Sequence, residues 1–277
     1  MPDYRSTTVL ARQSRRPVTR FVAGIGLALI LASGASADLK LTSRVTGAAS
    51  GGKPTTSVVY YKGKKMRSET GNTVVLFDGE KGTVTSLNMT AKTYNVVPIA
   101  ALSDNAMLRM VEMKTAVTLK PGGKTKKILG KQTKNYVFTA TIKMSLKKEM
   151  LDRMKAQGST ASPPTLPTIV LTGENWVAEQ VAVSSGAMAA SMSPMSAVPG
   201  LKALMDKFKT IKGIPLESRI NIAMQGGPQE GRRQSLATEA TSISEEGLAD
   251  TLFVVPAGFT RATAPTGRPG GAPGPGN

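Results

Sequence analysis

The chain has no cysteine and no histidine among its 277 residues. Without cysteine there are no disulfides and no thiol chemistry. Without either residue the commonest metal ligands and the imidazole general base are gone as well. Aromatics make up only 4% of the sequence, with a single tryptophan, Trp176, although a hydrophobic fraction of 40% is enough for a core. Acidic residues are also few: 18 against 36 Lys and Arg, a net charge of +18. Such a balance suits nucleic acid or an anionic surface. The basic residues are spread along strands and turns rather than massed with aromatics, which argues against nucleic acid. The densest run, Lys124 to Lys134 (KTKKILGKQTK), is interrupted by turn residues and reads as a solvated hairpin. An anionic lipid surface or cell wall is a better partner for the charge than nucleic acid, and a merely solubilising surface is preferred to either.

Long apolar runs are missing too. Phe21 to Ala32 is a run of twelve residues, too short to span a bilayer. Arg12, Arg15, Arg16 and Arg20 precede or open it, and Ala35-Ser36-Ala37 follows as a small-residue cleavage site. Together they read as an export signal over residues 1–37, cleaved before Asp38; an uncleaved membrane anchor is the other reading. Ser14-Arg15-Arg16 resembles a twin-arginine signal, but Val18-Thr19 stand where Phe-Leu is expected, which favours general secretion. No cysteine sits at the cleavage point to carry a lipid. The expected mature protein is periplasmic or secreted, lacks a transmembrane segment, and carries net +14 once five Arg and one Asp are removed.

The residues that are present speak of strands. Thr55 to Val97 runs TSVVYYKG, KKMRSETG, NTVVLFDGE, GTVTSLN, KTYNVV, with breaks at Gly63, Gly71-Asn72, Asp78-Gly79, Gly82 and Asn88. Short Val-, Thr- and Tyr-rich runs between turn residues are the hairpin signature. Connections this short allow only antiparallel neighbours. Asp38 to Gly47 alternates Leu39, Leu41, Ser43 and Val45 against polar residues, a half-buried first strand. Further strands are expected at Ala116 to Leu119, Lys126 to Leu129, Lys134 to Ile142, twice within Thr168 to Val183, at Pro215 to Met224 and Arg233 to Ile243, and in Ala249 to Thr260. Helical spacing marks Pro98 to Met113, Ser145 to Gln157 and Gly186 to Phe208, the last broken near Pro194 and Pro199. Residues 262–277 are Pro- and Gly-rich and read as a disordered tail. The fold class is therefore α+β: one large antiparallel sheet over residues 38–261 with its helices grouped on one side.

Several segments share an order and spacing with a known group. VVYYKGKKMRSET and VVLFDGEKGTVTSLNMTAKTYNVV, then KKILGKQTKNYVF, ENWVAEQV, GLKALMDKFKTIKGIPLESRI and LFVVPAGFTR, resemble bacterial periplasmic domains related to the Lol lipoprotein carriers. The resemblance covers Asp38 to Arg261. It implies an unclosed, curved antiparallel β-barrel whose concave side is covered by helices. It also implies an apolar cavity able to hold acyl chains.

Ten of the fourteen methionines fall between Met107 and Met205. Methionine is flexible and suits surfaces that accept variable apolar shapes. The expected ligand pocket therefore lies between helices and sheet, lined by Met107, Met110, Met188, Met192, Met195, Leu204, Met205 and Phe208, with Trp176 nearby. An ordinary core gives the same pattern. Arg67, on the Met-Arg strand beside Glu69, is a candidate partner for a ligand carboxylate or for backbone lying over the strand; an outward surface arginine is the alternative. Nothing marks a cofactor, a metal site or a catalytic residue. Ser145-Leu146-Lys147-Lys148 and Ser103-Asp104-Asn105 match two penicillin-binding motifs in the wrong order without the third. Gly123-Lys124-Thr125 lacks the earlier glycine of a phosphate-binding loop. The expected function is a non-enzymatic carrier of an apolar or acylated ligand. The alternatives are an envelope structural protein with a self-filled core and, third, a hydrolase.

Overall fold

The computed structural model describes residues 38–47, 52–103, 110–157, 162–181 and 200–262. Five of its strands come straight from the alternating runs: β2 (Thr55–Lys62), β3 (Lys65–Thr70), β4 (Thr73–Asp78), β5 (Thr83–Asn88) and β6 (Thr93–Pro98). The hairpins turn where glycine supplies positive φ, at Gly63 (55°), Gly71 (56°) and Gly82 (62°). At two turns a side chain replaces the missing ladder. Asp78 Oδ1 accepts from the amides of Glu80 and Lys81, and Asn88 Oδ1 from those of Thr90 and Ala91. β1 (Leu39–Gly47) pairs with β2 on one side and with β11 (Arg233–Ser244) on the other.

The remaining strands are β7 (Val111–Ile128), β8 (Lys131–Leu146), β9 (Thr168–Ala178), β10 (Ile214–Gln225) and the two-residue β12 (Thr260–Arg261). Twelve strands form one unclosed sheet, ordered β12-β6-β5-β4-β3-β2-β1-β11-β10-β9-β8-β7. All neighbours are antiparallel except β12 and β6, so the sheet is mixed. The parallel pair arises because the chain returns to β6 across the sheet rather than through a hairpin.

Parts of both faces of the sheet are buried. Regular ladders place Leu39, Tyr61, Met66 and Phe77 in one row, and Tyr60, Arg67, Leu76 and Thr85 in the row on the opposite face. On the first face, Leu39 and Leu41 pack with Ala178, Val181, Ile214, Leu216 and Ala240. On the second, Val74, Leu76 and Leu87 pack under Val255 and Phe259 of the C-terminal segment. The run Val74-Val75-Leu76-Phe77 supplies apolar side chains to both faces, as a strand covered twice must. Leu87, 1% exposed, is worth about 1.5–3 kcal/mol in burial alone.

Helices are few. They are α1 (Ile99–Ser103), α2 (Lys148–Ala156) and α3 (Lys202–Phe208). α3 places buried residues on the sheet: Leu204 and Met205 meet Ala140, Val117 and Leu171. α2 forms where the apolar spacing predicts it, yet none of its residues is buried. Among the described residues, helices covering one whole side of the sheet are not seen.

Three local expectations are corrected. Val111 and Met113, read as helical, lie in β7. Pro121-Gly122-Gly123 does not end a strand. It is a bulge within a hairpin of 18 and 16 residues. A Cβ at Gly122 would stand 1.8 Å from Asn135 Oδ1, so a side chain there would displace the buried Asn135. The hairpin turns at Leu129-Gly130, where the glycine marks a turn in the sequence, both with positive φ, the geometry that matches strand twist. Finally, the described part of Thr168 to Val183, residues 168–181, holds one strand, not two.

Candidate functional site

The middle of the sheet carries a hollow of about 280 Å³. It lies across four adjacent strands, β2, β1, β11 and β10, and is lined by Leu41, Ser43, Val45, Ser57, Val59, Tyr61, Ile214, Pro215, Ser218 and Thr238. Period-two alternation puts Leu41, Ser43 and Val45 on one face of β1, and the register sets them opposite Val59, Ser57 and Thr55 of β2. Thr238 faces Val45 from β11 and Ser218 from β10, which completes the lining.

Its walls are hydrocarbon and its polar groups are hydroxyls; the lining carries no charged side chain. Two hydroxyls are held by neighbours. Thr70 Oγ1 donates to Ser57 Oγ (2.9 Å), and Ser218 Oγ donates to Asn175 Oδ1 (2.7 Å). Tyr61 is different. Burial pushes its phenol up to about 12, because the anion has no water to hold it. Chemically, the hollow can take up an apolar group and offer hydrogen bonds to a neutral oxygen beside it.

The residues expected to form a methionine-lined pocket are dispersed or already packed. Leu204 and Met205 are buried, and Phe208 meets Phe138 edge-on at 5.0 Å, so this trio fills its own space. Met110 is exposed and lines a separate hollow of about 460 Å³ with Lys147, Glu149, Met150 and Arg153. Trp176 is 9% exposed, and its indole N–H is buried without a partner. Lys126 Nζ stands 4.1 Å from the centre of that ring while pairing with Glu217 Oε2. Met107, Met188, Met192 and Met195 lie outside the described residues.

Arg67 is buried on the second face, away from the hollow. Its Nε donates to Glu69 Oε1, and Nη1 donates to the Leu252 carbonyl at 2.9 Å. The guanidinium thus holds down the C-terminal 3₁₀ turn Asp250–Phe253. A second latch lies beside it: Lys62 pairs with Asp38 and Asp250 and donates to the Leu248 carbonyl, while the Leu248 amide donates to Asp38.

The hollow's lining went unremarked in the sequence, although the alternation in β1 and β2 marks which residues share its face. No signal there says that β10 and β11 stand alongside. Among the described residues there is no group of three or more acidic side chains able to hold a metal. No helix among them is long and apolar enough to cross a membrane.

No protein-family model and no curated protein match this chain. Among solved structures it is similar to PNGF-II in its C2 crystal form, at 13% identity and a TM-score of 0.35, over 82% of this chain and 31% of that one. PNGF-II in its P21 form gives 12% identity and a TM-score of 0.32, over 82% and 32%. The chain thus spans about a third of the length of these structures, and likenesses this low carry no argument about fold or activity.

Proposed function

We propose that the protein is an exported, non-enzymatic binding protein that takes an apolar or acylated ligand into the hollow between β2, β1, β11 and β10. The observation that carries this reading is the lining itself. Four hydrocarbon side chains, Leu41, Val45, Val59 and Ile214, surround an open space near the lower end of ligand-pocket volumes, about 300 Å³, with hydroxyls and no charge among them. On this reading the sheet is a cupped half-barrel. Lys126 of β7 reaches Glu217 of β10 at 2.5 Å, across three strand spacings, about 14 Å in a flat sheet. Glu217 alternates with Ser218 of the lining, so this reach lies on the face opposite the hollow and supports a curved sheet only. Export is proposed from the basic, apolar and small-residue succession in residues 1–37.

The test is displacement of a fluorescent fatty acid from the purified protein, with mass spectrometry of any lipid that co-purifies. Saturable binding that falls at least tenfold in Val59→Trp, which fills the hollow, supports the reading. No saturable binding, or binding indifferent to Val59→Trp, overturns it. The packing of Leu204, Met205 and Phe208 favours a second reading. In it the protein is an envelope structural component held by its charge, and salt-sensitive retention on cell-wall material without lipid binding would identify it.

A further inference from the structure

β7 ends the sheet, and the geometry tells which of its backbone groups are unused. The Lys147 amide donates to the Met110 carbonyl at 2.9 Å, and the pairing continues from Val111 opposite Leu146. Antiparallel pairs alternate between bonded and non-bonded. Glu112, Lys114, Ala116, Thr118 and Lys120 therefore bond to β8. The amides and carbonyls of Val111, Met113, Thr115, Val117 and Leu119 point off the sheet, and no strand among the described residues pairs with them. The sheet's other end is blunted by the two-residue β12. The far half of β7 is protected by Pro121, the glycine bulge and Lys124, Lys126 and Lys127. Val111 to Lys120 has no proline, no glycine and no bulge.

We propose that this edge pairs antiparallel with the same edge of a second copy, about a two-fold axis through Ala116. Outward residues then meet outward residues, as bonding requires: Met113 faces the partner's Leu119, and Thr115 faces the partner's Val117. On the polar side, Glu112 stands opposite the partner's Lys120, twice by symmetry. Glu112 is half exposed and meets only Lys114, at 3.5 Å, among the described residues. Lys120 is exposed and has no ion pair among them. This register is self-complementary in charge and joins two sheets into one.

Sedimentation velocity on the purified full chain across the micromolar range, at low salt, tests it. A dimer is expected. Glu112→Lys and Lys120→Glu each weaken it roughly tenfold, since two surface pairs become two repulsions, and the double variant restores it. A monomer at every concentration overturns the proposal. So does a dimer indifferent to the charge exchange, which would place the contact elsewhere.

Discussion

Replacing Arg67 with methionine keeps most of the side chain's volume and removes its charge. The side chain is 10% exposed, and its two bonds are unequal. The bond to the Leu252 carbonyl comes from a buried guanidinium, and hydrogen bonds to charged groups contribute about 1.5–3 kcal/mol. The bond to Glu69 is closer, but that carboxylate is 32% exposed and recovers water when the arginine leaves, so it adds about 0–1 kcal/mol. The expected loss is about 2–3 kcal/mol. In urea this is a midpoint shift of about 1 M, taking a slope near 3 kcal/mol/M as for larger single domains. Hydrogen exchange adds a local readout: amides of residues 250–262 exchange faster in the variant, because Leu252 is the anchor of that segment. A loss under about 0.5 kcal/mol with unchanged exchange would refute the idea that Arg67 fastens the C-terminal segment to the sheet.

Leu87→Ala opens a void between β4, β5 and Phe259 and is expected to cost about 2–5 kcal/mol in thermal or urea unfolding. Tyr61 is expected to ionise near pH 12 in a spectrophotometric titration, against 10 for a free phenol. Its folded value is raised, so its contribution to stability is complete below pH 10 and is lost as pH rises from there toward 12; Tyr61→Phe removes the late-titrating phenol. Glu179 is held below the usual carboxylate range by Lys134 and by the Tyr136 hydroxyl. A depressed value gives stability that is present above the unfolded carboxylate's pKa and is lost as pH falls through the folded one. Glu179→Gln should therefore flatten the acid limb of the stability curve; an unchanged limb would show that the pair is idle.

The sequence alone determined the elements whose causes are local. Alternation in Asp38 to Gly47 and the glycines at 63, 71 and 82 set β1 to β6 and their hairpins, because period-two burial and positive φ act between near neighbours in the chain. Apolar spacing also located α2, although it did not reveal that α2 buries none of its residues. Tertiary structure decided the rest. The hollow joins positions 41, 59, 214 and 238, whose adjacency follows from β1 pairing with β11, a choice between distant segments that local patterns do not encode. Arg67 reads as an ordinary alternating strand residue. It is buried because a segment 185 residues later folds over it, and only that long-range packing makes a charged side chain part of the core.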